Sequence, residues 1–87
     1  MSFARGWSAA VPLELYGTRS CQYTAELREE LDWRGTPFVE YDVESDAAAL
    51  QRFLQLAAGN RTVPLLVEDG KILQTGYNGR GCVVGPL

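Results

Sequence analysis

Apolar and polar residues alternate along Leu13-Glu14-Leu15-Tyr16 and stop at Gly17, the two-residue period of a strand. The period changes after the loop Thr18-Arg19-Ser20-Cys21. From about Gln22 to Arg34, Tyr23, Leu27 and Leu31 recur every four residues, while Glu26, Glu29, Glu30 and Asp32 fill the other faces. That spacing predicts an amphipathic helix, with Ser20 or Thr18 available to cap its first turn. Gly35-Thr36-Pro37 breaks it. Strict alternation from Phe38 to Val43 predicts a second strand. Ser45 reads as the N-cap of a second helix, with Asp46 in its first turn, Leu50, Phe53, Leu54 and Ala57 on one stripe, and Gly59-Asn60 as its stop. Arg61 to Pro64 reads as a loop, Leu65-Leu66-Val67 as a buried strand, Asp69-Gly70 as a tight hairpin turn, and Lys71 to about Thr75 as the returning strand. Four glycines between Gly76 and Gly85 predict turns and a flexible tail. Residues 1–11 show no periodicity and read as an N-terminal extension, with Trp7 resting on the domain formed by 12–87.

The predicted order is β-α-β-α-β-β, an α/β class. Two strand–helix–strand passages imply parallel neighbours with right-handed crossovers, and the final hairpin adds an antiparallel edge. The expected product is one four-stranded mixed sheet flanked by helices. Function does not follow from that architecture alone.

Composition narrows the chemistry. A chain of 87 residues, 46% hydrophobic, holds one domain and buries only about 60% of its unfolded surface. Eight basic against eleven acidic residues, a net charge of −3, excludes charge-driven nucleic-acid binding. The lack of histidine removes Ser-His and Cys-His catalytic pairs and every histidine metal site. Two cysteines cannot complete a four-ligand zinc site, and they are too few for a disulfide-stapled secreted scaffold. No membrane span and no secretory signal are legible, so a cytoplasmic location is expected.

Cys21 falls at the strand-to-helix junction, where free backbone N–H groups and the positive end of the helix dipole favour a thiolate. Such a cysteine has a lowered pKa, and Arg19 adds positive charge two residues earlier. The same sulfur would be both a good nucleophile and a good leaving group in thiol–disulfide exchange. The plainer reading makes Cys21 a small buried residue; the loop before the helix argues instead for a surface turn.

Leu-Tyr-Gly-Thr-Arg-Ser-Cys21-Gln-Tyr-Thr24, followed by Arg-Thr-Val-Pro64, Asp-Gly70 and Gly76-Tyr-Asn78, resembles the glutaredoxin family from about Leu13 to Asn78. Each motif is weak alone; their order and spacing together are specific. The resemblance implies a thioredoxin-like fold, glutathione as thiol partner, and a cis Val63–Pro64 bond that would aim the free N–H and C=O of Val63 at an extended peptide. On the residues alone, Pro64 reads as an ordinary trans turn proline before a strand. By the same resemblance Thr62, Val63 and Pro64 would hold the backbone of glutathione, and Gly76, Tyr77 and Asn78 would meet its γ-glutamyl end. Tyr23 would flank the sulfur, and Arg61 would face the glycine carboxylate. Arginine forks suit carboxylates, although Arg19, Arg61 and Arg80 also read as solvated surface charges.

The departures from the family are informative. The usual Cys-Pro-Tyr-Cys is Cys21-Gln22-Tyr23-Thr24, a monothiol site with Thr24 able to cap or back-bond in the first turn. The family's lysine is Thr18, leaving its role to Arg19. Nine residues follow Asn78, so the closing helix usual in the family is truncated or absent. Cys82 has no counterpart in the family and reads as a tail thiol of no consequence, or as a resolving thiol for Cys21. The expected activity is a glutathione-dependent thiol–disulfide oxidoreductase, a monomer acting on glutathionylated or disulfide-containing proteins, with no nucleic-acid or membrane partner and no metal. The alternatives are a [2Fe–2S] carrier, with the cluster bridging two protomers through Cys21 and glutathione, and a low-turnover glutathione-binding module.

Overall fold

The computed structural model describes residues 13–85. The expected N-terminal extension and its Trp7 lie outside them. The elements are β1 (Leu13–Gly17), α1 (Gln22–Arg34), β2 (Phe38–Asp42), α2 (Ala47–Leu56), β3 (Thr62–Val63), β4 (Leu65–Glu68), β5 (Lys71–Thr75) and β6 (Cys82–Val83). The four longer strands form one mixed sheet in the order β2-β1-β4-β5, and β3 pairs with β6 in a separate two-stranded ladder.

The central strands are apolar on both faces because each face carries a helix. Leu15 of β1 and Leu66 of β4 pack with Leu27 and Leu31 of α1. Their neighbours Tyr16, Leu65 and Val67 point the other way and pack with Leu50 and Phe53 of α2. Strand alternation thus assigns one residue set to each helix. Tyr16 stacks on Tyr41 with ring centroids 5.1 Å apart and meets Phe53 at 6.3 Å. Ion pairs tie the helices to the sheet: Arg28 to Glu40 at 2.7 Å, and Arg52 to Glu14 at 2.9 Å.

The helix ends follow from local chemistry. Gly35 closes α1 in the left-handed region (φ 70°), donating its N–H to Asp32 O at 3.0 Å, while Thr36 N–H reaches Leu31 O at 3.0 Å. These are the two bonds of a Schellman motif, and glycine adopts that φ without a Cβ penalty. The N-cap of α2 is Asp46 rather than the expected Ser45. Ser45 and Asp46 N–H groups both return to Asp42 O, which delays the helix by a residue, and Asp46 Oδ1 then accepts from Ala49 N–H at 3.1 Å. The N-cap of α1 is Cys21 itself, rather than Ser20 or Thr18, and its side chain makes no capping bond.

Three expectations change at the level of topology. Only β1 and β2 are parallel; β4 runs antiparallel to β1. The segment after α2 delivers Leu65 beside Tyr16, close to where β1 finishes, so β4 has to run back along it. The predicted loop Arg61–Pro64 contains β3, and the glycine-rich tail contains β6. No helix follows α2 among the described residues, and no helix there is long and apolar enough to cross a membrane.

Candidate active site

Cys21 is placed by the end of β1. Gly17 O accepts from Val43 N–H at 2.9 Å, the chain turns through Thr18–Ser20, and Cys21 N–H returns to Thr18 O at 3.4 Å. Cys21 keeps an extended backbone (φ −87°, ψ 115°), while its carbonyl accepts from Ala25 N–H at 3.2 Å as α1 begins. The expected exposed thiol is not what the fold produces. Cys21 is only 2% exposed, within the α2-side core, and its Sγ is bonded to Sγ of Cys82. Their Cα atoms are 6.0 Å apart, inside the ordinary range for a disulfide.

Cys82 reaches this position through two turns and a strand pairing. Asn78 (φ 53°) and Gly79 (φ 75°) form a hairpin turn closed by reciprocal backbone bonds between Tyr77 and Arg80, at 2.6 and 3.0 Å. The chain then runs antiparallel to β3, with Val83 opposite Thr62 and Cys82 opposite Val63. Val84 N–H donates to Arg61 O at 2.8 Å. Hydrogen-bonded pairs alternate along an antiparallel ladder, so Val63 and Cys82 form the next exchanging pair. Gly81 permits the approach: a Cβ there would lie 2.6 Å from Val63 O and 2.7 Å from Thr62 Cγ2. Val84, 4% exposed, anchors the far side in the core. Of the two readings of Cys82, the free tail thiol is excluded by its bond to Cys21, and the Val63 backbone is not free but occupied by β6. The Val63–Pro64 bond is cis.

The remaining candidates divide into two groups. Tyr23, Tyr77 and Asn78 come together with Gln22, Glu26 and Arg80 around a cleft of about 330 Å³. Tyr77 OH donates to Glu30 Oε1 at 2.6 Å, and this bond, helped by burial, holds its pKa above the ordinary tyrosine value. Gly76 (φ 79°) packs against the backbone of Arg80, where a Cβ would meet Arg80 O at 2.6 Å. Thr62, Val63 and Pro64 line up against β6, and Arg61 Nη1 donates to Gly85 O at 3.1 Å. Arg19 stands apart: its side chain is 94% exposed and pairs with Asp42 at 3.8 Å, in a shallow cleft shared with Arg28 and Glu40. Thr24 is fully buried, and its Oγ1 has no hydrogen-bond partner, so it neither caps nor back-bonds. Its side chain packs on Gly17, where no larger residue would fit. Gln22, Glu26 and Glu30 are residues of this site that the helical period does not single out. Nothing in a helical period marks which turn faces a later loop.

The glutaredoxin family's sequence profile matches residues 13–73. The chain belongs to the glutaredoxin family. Over 58 residues it is 35% identical to a protein of Synechocystis sp. named "Probable glutaredoxin", covering 66% of this chain and 53% of that protein. The chain thus spans about half the length of the curated relative it matches. Among solved structures it resembles a buckwheat glutaredoxin–glutathione complex, with a TM-score of 0.61, 25% identity, and 75% and 60% of the two chains covered. It also resembles a crystallised mutant of a thioredoxin-like protein, with a TM-score of 0.67, 29% identity, and 76% and 82% covered. The fold is accordingly thioredoxin-like. Within this glutaredoxin fold the sulfur at the start of α1 has a partner 61 residues away. The cluster alternative finds no support in the site: the thiol it needs is bonded to Cys82.

Proposed function

We propose that this chain is a glutathione-dependent thiol–disulfide oxidoreductase with Cys21 as its nucleophile. The observation that carries the reading is the placement of the Cys21 sulfur. It lies at the N-cap of α1, bonded to a second sulfur held opposite Val63, immediately before cis-Pro64. In the reduced protein the Cys21 thiolate attacks the glutathione sulfur of a mixed disulfide. The substrate thiolate leaves, and Cys21 becomes glutathionylated. A second glutathione thiolate attacks that bond, releases glutathione disulfide and restores the Cys21 thiolate. The free amides at the start of α1 stabilise the thiolate both as nucleophile and as leaving group.

Membership of the family and the likeness to a glutaredoxin–glutathione complex support glutathione as co-substrate. The edge of β3 would pair with the tripeptide's backbone, Arg61 would take its glycine carboxylate, and the cleft of Tyr23, Tyr77 and Asn78 would take its γ-glutamyl end. The test is steady-state reduction of a glutathionylated model peptide by glutathione. Cys21→Ser should reduce the rate to the uncatalysed background. A Cys21→Ser protein as fast as the parent would overturn the mechanism, and binding of glutathione without turnover in the parent would leave only a binding module.

A further inference from the structure

The position one turn into α1, where the family places a second cysteine, is filled by a buried threonine whose hydroxyl has no partner. The second thiol is supplied instead from the far end of the chain. Its surroundings resemble a bound peptide more than a structural staple. Gly81–Val84 is a cysteine-containing segment laid antiparallel on the edge of β3, with its cysteine opposite Val63 and bonded to Cys21. Downstream of that cysteine, Arg61 holds a carbonyl, Gly85 O, at 3.1 Å. Upstream, Arg80 is tied to Tyr77 by paired backbone bonds. The segment takes the β3 edge and the Cys21 sulfur that an extended cysteine peptide would use, while Arg80 lines the cleft beside them.

We infer that Cys82 is the resolving cysteine of Cys21, and that strand β6 presents it as a tethered stand-in for the cysteine peptide of a substrate. The inference rests on the reading of Cys21 as nucleophile. When Cys21 has attacked a disulfide R–S–S–R′ and released R′ as thiolate, Cys21–S–S–R remains. The Cys82 thiolate attacks Sγ of Cys21, the Cys21–Cys82 bond forms, and R leaves as its thiolate. Two electrons pass from the protein dithiol to the substrate disulfide, and the two thiol protons go to the departing thiolates through solvent. Two thiol molecules, glutathione among them, then reduce the internal disulfide in successive exchanges and leave as their own disulfide. Cys82 thus competes with the second glutathione for the same mixed disulfide. While the internal bond stands, the edge of β3 is closed to any other peptide.

The experiment is mass spectrometry of the reduced protein after oxidation with glutathione disulfide. The parent should end two hydrogens lighter with no glutathione attached, whereas Cys82→Ser should carry one glutathione on Cys21. Gly81→Val puts a side chain against Val63 O and Thr62, and should raise the glutathionylated fraction several-fold by detaching β6. A parent protein that keeps glutathione on Cys21 while Cys82 remains open to alkylation overturns the resolving role, whatever the variants do. An unchanged fraction in Gly81→Val overturns presentation by β6. Failure of the glutathione reading looks different: the parent forms the internal disulfide with a small synthetic disulfide, yet Cys82→Ser takes up no glutathione.

Discussion

Under the proposed function, Arg61 would serve two partners in turn. Its guanidinium holds Gly85 O in the closed form, and the same donors would hold the carboxylate of glutathione once β6 leaves. In a Cys82→Ser background Arg61→Ala should weaken glutathione binding by about 1.5–3 kcal/mol, the range for a charge-assisted hydrogen bond, as read by calorimetric titration. Tyr16 makes a second prediction at this scale. Burial, then the bond its hydroxyl donates to Glu14, raises its pKa well above the ordinary tyrosine value. The folded state therefore holds that proton more tightly than the unfolded chain. The stability this contributes is complete below about pH 10, where the unfolded tyrosine starts to ionise, and is lost as pH rises through the folded pKa. Thermal unfolding midpoints measured from pH 8 to 12 should fall more steeply for the parent than for Tyr16→Phe. The residue scale was only half legible in the sequence. Cys21 announces itself by its place before a helix. Cys82 leaves two readings open, because its contact with Cys21 spans 61 residues, which no local pattern encodes.

At the scale of elements, the long ones declare themselves by period and the short ones cannot. Both helices and the strands β1, β2, β4 and β5 were legible from spacing and from glycine, proline and aspartate punctuation. Strands β3 and β6 have two residues each, too few to show alternation, and the glycines around β6 point to turns. Only the folded chain shows that Gly81 serves close approach of two backbones. The direction of β4 was equally hidden, since a helix between two strands does not fix the end of the sheet at which the chain emerges. Capping gives a measurable check on the boundary that moved. Asp46→Ala should destabilise the protein by about 1 kcal/mol, within the 0.5–2 kcal/mol usual for a lost N-cap, while Ser45→Ala should cost less. Chemical denaturation of the two variants compares them directly.

For the whole molecule, the disulfide between Cys21 and Cys82 has a topological consequence. Oxidation turns the chain into a lariat: α1 through β5 lie within the closed loop, while β1, one of the two central strands of the sheet, lies on the free tail. Closing a loop of this size removes unfolded-state entropy worth about 4 kcal/mol. In a domain this small that corresponds to a melting temperature higher by more than about 10 °C in the oxidised form, measurable by calorimetry with and without a reductant. Linkage makes the relation reciprocal, because a bond that steadies the fold is steadied by it. A substitution that loosens the core on the opposite face of the sheet, such as Leu31→Ala on α1, should make the ring easier to open. A binding partner that grips the folded domain should make it harder. The electron-accepting tendency of the cysteine pair is thus adjustable from anywhere in the protein that bears on folding.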